Sequence, residues 1–213
     1  LELFLLILTG AGHILVETLW GGATEGASAG TPERLYNLVA ICLWAAYLLA
    51  RIVKRPSLLT EWGMRREGFK ESMLLSSKFW LPACIFLLMF GAYTRQLPSP
   101  KTAWVALLLY PLYGLVQQFA LQVLVTTNLR PRVQNLWGRS ILSGLLFSAA
   151  HIPTLPLVLL TFPVGVALTW TYERHRNLWA LGLVHGLLGA LAYYTVLGLD
   201  PGAEILSFVK MNL

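Results

Sequence analysis

The run SILSGLLFSAAHIPTLPLVLLTFPVGVALTWTY, Ser140 to Tyr172, decides the fold. It contains no Asp, Glu, Lys or Arg. One bilayer crossing takes about 20 helical residues, so the run is too long to be a single helix across a membrane. Ile152-Pro153-Thr154-Leu155-Pro156 must break it, because proline cannot continue the helix ladder and disfavours helix in the residue before it. The run therefore predicts two spans joined by a tight turn, one ending near His151 and one from about Leu155 to Tyr172.

The same pattern extends in both directions. The chain has 213 residues, 56% of them hydrophobic and 12% charged, against about 25% charged in a soluble domain. The charges cluster in short loops between long apolar runs, as expected when lipid is the solvent. Further spans are predicted at Leu1–Trp20, Leu35–Ala50, Phe79–Tyr93, Thr102–Leu129 and Asn177–Leu199. This gives an all-α polytopic membrane protein of about seven transmembrane helices. The first apolar stretch lacks a cleavage-site pattern and reads as a retained helix. Residues 51–78 carry Arg51, Lys54, Arg55, Arg65, Arg66, Lys70 and Lys78 among Leu58, Leu59, Trp62, Met64 and Phe69. That mixture predicts an amphipathic helix in the membrane interface.

The formal net charge of +6 does not point to nucleic acid. The basic residues of 51–78, of 130–139 and of 173–176 fall on one side of the predicted topology, the cytoplasmic side by the positive-inside rule. Arg95 and Lys101 in the opposite turn dissent. Trp20, Trp62, Trp80, Trp104, Trp137 and Trp179 lie near span ends and read as an aromatic belt. Cys42 and Cys84 lie inside apolar runs and read as small hydrophobic fillers. Neither a disulfide framework nor zinc-ligand spacing is present.

Polar side chains inside a bilayer are costly and mark candidate sites. Gln117, Gln118 and Gln122 lie on the fourth span, His151 on the fifth and His185 on the seventh. Counted at the helical rise from the cytoplasmic ends, Gln118 lies roughly 15 Å deep, His151 roughly 18 Å and His185 roughly 12 Å. Gln118 and Gln122 share a face at i, i+4, and Gln117 points about 100° away. On a plainer reading, such glutamines bond a neighbouring helix for about 0.6–2 kcal/mol. Gly182-x-x-x-Gly186 likewise fits close helix packing around His185. His13 and Glu17, at i, i+4 on the first span, read first as a local polar pair.

Phe147-Ser-Ala-Ala-His151-Ile-Pro153, Thr161-Phe-Pro-Val-Gly165 and Asn177-Leu-Trp179 ahead of His185 resemble the CAAX protease and bacteriocin-processing family (CPBP, or Abi). These are the intramembrane glutamic proteases. The resemblance covers about residues 104–195 and divides the chain into N-terminal helices and basic segment (1–101), a protease-like core (102–199) and a C-terminal tail (200–213). It implies a hydrolase of the plasma membrane, the bacterial inner membrane, acting on membrane-anchored or prenylated peptides without a cofactor or metal. Gln117, His151 and His185 then take the catalytic positions, with Gln118, Gln122, Phe147 and Gly189 supporting.

Two family motifs are changed. Glu-Glu-x-x-x-Arg reads Gln117-Gln118-Phe-Ala-Leu-Gln122, and His-x-x-x-Asn or Asp reads His185-Gly-Leu-Leu-Gly189. An amide is not a general base, so the family mechanism cannot run unchanged. The paired exchange at 118 and 122 replaces a buried ion pair by a neutral pair that can still hydrogen-bond, where losing one charge would strand the other. Three functions are open to test. One is a peptidase using His151 as base, or borrowing Glu17 or His13. The second is a pseudo-protease that binds a lipidated peptide or a partner helix. The third is a histidine-based metal or haem site.

Overall fold

The computed structural model describes residues 2–16 and 31–211. Among them the secondary structure is helical: α1 Glu2–Val16, α2 Thr31–Lys54, α3 Leu58–Glu61, α4 Phe69–Thr94, α5 Ala103–Leu129, α6 Leu136–Ala149, α7 Leu155–His175, α8 Leu178–Thr195 and α9 Pro201–Met211. Within the described residues α2, α4, α5, α7 and α8 are long and apolar enough to cross a membrane. Of the seven expected spans, five are full-length helices and α6 is shorter, with 14 residues; α1 is described over Glu2–Val16, and the end of its expected span, to Trp20, lies outside the described residues. The chain is an all-α, multi-pass membrane protein.

Two compact units divide the chain, Leu1–Glu61 and Trp62–Leu213. In the first, α1 and α2 are joined by polar contacts. The Tyr36 hydroxyl donates to the Thr9 carbonyl at 2.7 Å, the Trp44 indole donates to Thr9 Oγ1 at 3.1 Å, and Arg51 pairs with Glu2. Leu38, Ile41, Leu43 and Leu49 of α2 are exposed, as suits a lipid-facing helix. Cys42 is exposed too, and Cys84 is half-buried. Cys42 is therefore not the buried filler its apolar neighbours suggested.

The segment 51–78 is not one interfacial helix. Helix α2 runs on to Lys54, α3 is only four residues long, and α4 begins at Phe69 rather than Phe79. Between α3 and α4, residues 62–68 of the second unit pack on the distant loop at 175–177. Gly63 and Gly68 have φ of 91° and 74°. A Cβ at either would fall 2.5–2.6 Å from the carbonyl oxygens of Arg176 and His175. Asn177 accepts from the Ala180 N–H to cap α8, and its amide donates to the carbonyls of Arg65 (2.6 Å) and Glu67 (3.0 Å). The backbone groups that an interfacial helix would have satisfied internally are bonded to a loop 110 residues away. Trp62 leaves the expected belt for the same reason. It is 7% exposed, edge-on to Phe119 at 5.3 Å. Trp104, Trp137 and Trp179 are exposed, and Trp20 lies outside the described residues.

Glycines set the helix contacts of the second unit. A Cβ at Gly114 would lie 2.5 Å from the Gly182 carbonyl oxygen and 2.6 Å from the Gly186 nitrogen. The small-residue stripe on α8 therefore lets α5 come up against its backbone, as Gly-x-x-x-Gly packing does. Gly144 of α6 and Gly165 of α7 meet in the same way. At the loop end, buried Arg139 and half-buried Arg130 both pair with Glu173. At the other end, residues read as a tail form α9. Asp200 caps it, accepting from the Ala203 N–H (2.8 Å), the Tyr194 hydroxyl (2.9 Å) and the Thr102 hydroxyl (2.6 Å). Burial would raise the Asp200 carboxyl. The hydrogen bonds from Thr102, Ala203, Tyr194 and the Gly202 backbone outweigh it and hold the group below its ordinary value.

Candidate functional site

The close α5–α8 seam brings the first and third altered motifs together. One turn from Gly114, half-buried Gln117 places Oε1 2.5 Å from His185 Nε2. A carbonyl oxygen only accepts, so Nε2 carries the proton and donates. His185 is 7% exposed, and its Nδ1 is buried without a partner.

Phe147 of α6 stands between the two histidines. Its ring is edge-on to His185 at 5.3 Å and to His151 at 5.0 Å. Helix α6 ends at Ala149, so His151 sits in the turn beyond it and not in the helix its depth was counted along. Its Nδ1 lies 2.9 Å from the Phe147 carbonyl oxygen. The same reasoning puts the proton on Nδ1 and leaves Nε2 with a free lone pair.

Gln118 turns away from this group. It and Gln122 are fully buried, and the Gln122 amide donates to Gln118 Oε1 at 3.0 Å. The i, i+4 spacing anticipates this pair but not its continuation. From Ala120 to Thr126 helix α5 widens into π-helical turns, a local insertion often found at functional sites. Within it the Thr126 hydroxyl is shared between the Leu121 carbonyl oxygen (2.9 Å) and Gln122 Oε1 (3.2 Å) and lies 2.9 Å from Ser143 of α6. The glutamine pair is thus the start of a ladder, Gln118–Gln122–Thr126–Ser143.

Gly189, at the altered position of the third motif, faces the Tyr110 ring, the only group near its absent Cβ, at 3.8 Å among the described residues. His13 belongs to the first unit, with its ring 6.4 Å from that of Tyr36. Glu17 lies outside the described residues. Within the described residues, no three His, Cys, Asp or Glu side chains gather as a metal-ligand set. His151 and His185 are separated by an aromatic ring.

Residues 98–191 match the family model described as type II CAAX prenyl endopeptidase Rce1-like. That model is one of the CPBP family, so this region is similar to that family. The matched region spans just under half of the chain and contains Gln117, Gln118, Gln122, Phe147, His151, His185 and Gly189. No curated protein and no solved structure gives a significant match to the chain.

Proposed function

We propose that this membrane protein is a member of the CPBP family that binds a membrane-anchored or prenylated peptide and has given up the family's carboxylate-driven hydrolysis. Residues 102–199 form the functional core, and the basic loops face the cytoplasm of a bacterial cell. The peptide class follows from the description of the matching family. The observation that carries the reading is the Gln117–His185 pair. The position that the resemblance assigns to a water-activating glutamate holds an amide, which takes no proton near neutral pH. That amide is already engaged by the imidazole. The adjacent pair at 118 and 122 is neutral as well. A site of amides and imidazoles keeps donors and acceptors for a peptide backbone while lacking a carboxylate base.

One observation favours a second reading, residual hydrolysis. With its proton held on Nδ1 by the Phe147 carbonyl, His151 presents Nε2 as a base, and His151 is partly exposed. The Gln117 amide would then steady the oxyanion. Three forms reconstituted in liposomes separate the two: native, Gln117→Glu and His151→Ala. Each is offered prenylated and unmodified membrane peptides, with binding and cleavage measured. The expected outcome is native binding without cleavage, and cleavage gained in Gln117→Glu. Native cleavage that His151→Ala abolishes overturns the binding reading. Failure of all forms to bind or cleave prenylated peptides removes the proposed ligand class.

A further inference from the structure

Serine and threonine in the membrane helices of this chain generally return their hydroxyls to the backbone. Thr161 donates to Leu157 O at 2.7 Å, Thr171 to Ala167 O at 2.9 Å, Thr195 to Leu191 O at 2.8 Å and Ser76 to Ser72 O at 2.7 Å. This is the cheapest way to satisfy a hydroxyl where lipid offers no partner. Ser140 and Thr169 do not do so. Both are 0% exposed, and neither hydroxyl has a partner. Ser72 of α4 shares the property.

The register of α6 on α7, fixed by Gly144 against Gly165 and by Arg139 with Glu173, assigns Ser140 and Thr169 to opposed positions. Helices α6 and α7 are antiparallel and cross where a Cβ on Gly165 would lie 3.0 Å from the Gly144 Cα. One turn from that crossing toward the loops, the register puts Ser140 on α6 across from Thr169 on α7. Ser143, the last rung of the glutamine ladder, is three residues from Ser140. Beyond them Arg139 pairs with Glu173, and Arg139 Nε is buried without a partner. In this register two unpartnered hydroxyls, a ladder hydroxyl and an unpartnered guanidinium N–H fall within about one helical turn of one junction. A buried water typically needs about three polar partners, and this junction supplies them.

We propose that Ser140 and Thr169 bind a buried water that joins the Gln118–Gln122–Thr126–Ser143 ladder to the Arg139–Glu173–Arg130 ion pairs. A continuous hydrogen-bonded track then runs from the loop face of the protein into the layer of the candidate site. The inference does not depend on whether the site binds or cuts a peptide, because its test is read on the folded protein alone.

The test is thermal unfolding of the purified full chain in detergent, for native protein, Ser140→Ala, Thr169→Val, the double variant and Thr169→Ser. A shared water predicts that each apolar substitution lowers Tm by about 2–4 °C. The double variant falls no further than the worse single one, since both lose the same partner. Thr169→Ser, which keeps the hydroxyl, stays closer to native than Thr169→Val. An unchanged or raised Tm in both apolar variants overturns the proposal, because replacing a truly orphaned hydroxyl by an apolar group removes a penalty. Additive losses overturn the shared water. Stabilisation of the native protein by sodium over choline at equal ionic strength overturns water in favour of a cation. A measurement that needs no variant is rapid hydroxyl-radical labelling. Oxidation of Tyr172, 1% exposed and one turn from Thr169, supports internal water, and a Tyr172 as protected as Leu181 overturns it.

Discussion

Gln117 and Gln118 are neighbours of the same type on one helix, yet they face different surroundings. Gln117 is half-buried and meets a titratable group, the His185 imidazole, across the α5–α8 seam. Gln118 is fully buried and meets a second amide on its own helix, which leads through Thr126 to α6. The first contact joins two helices at a group able to move a proton. The second sets neutral dipoles against one another in the interior, with Gln118 Nε2 left without a partner. An identical side chain therefore belongs to chemistry on one face and to architecture on the other, and about 100° of helix rotation separates the two.

That contrast is most severely tested by Gln122→Arg. A guanidinium cannot shed its proton, so the variant places an unpaired charge in the ladder and loses about 3–5 kcal/mol. Adding Gln118→Glu supplies the partner, and chemical denaturation of the double variant should recover most of the loss. No recovery would mean that the ladder is not the neutral counterpart of an ion pair. Gly186→Val comes next, at about 1–3 kcal/mol. Its Cβ would lie 2.5 Å from the Tyr110 carbonyl oxygen and the Pro111 Cα, so α5 and α8 must separate. Disulfide trapping or distance measurements across the seam should show the Gln117 face opening while the Gln118 ladder, held on α5 and α6, persists.

Gln117→Glu should change stability by about 1 kcal/mol or less, because the new carboxylate keeps the His185 donor. Its effect should appear in turnover, in contrast to Gln122→Arg. The smallest effect lies away from both faces. Asp200 has a depressed carboxyl in the folded chain, so its contribution is present above the ordinary carboxylate range and is lost as pH falls through the lower folded value. Hydrogen exchange measured as pH falls below the ordinary carboxylate range should show loosening of α9 with both glutamine faces unchanged.

Several of these features were legible in the sequence for local reasons. The break at Ile152-Pro153 bounds two spans because proline acts on its own turn of backbone. Gln118 and Gln122 meet because i, i+4 neighbours share a helix face. The unread parts are nonlocal. Residues 62–68 have the composition of an interfacial helix, and only their bonds to 175–177 make them a loop. The π-helical turns at Ala120–Thr126 use ordinary helix-forming residues, so nothing in their composition announced the ladder to Ser143. His151 lies in a turn because α6 stops before it, a boundary that periodicity leaves loose by a few residues.

Asn177 carries one consequence beyond the folded state. Its single amide group both starts α8 and closes the approach to α4, through carbonyls at residues 65 and 67. A ribosome makes those two carbonyls long before it makes residue 177. The start of α4 therefore waits, with its polar backbone uncommitted, until α4 to α7 have all been made. Biogenesis closes this loop in the reverse of synthesis order: an early segment is finished by a late residue.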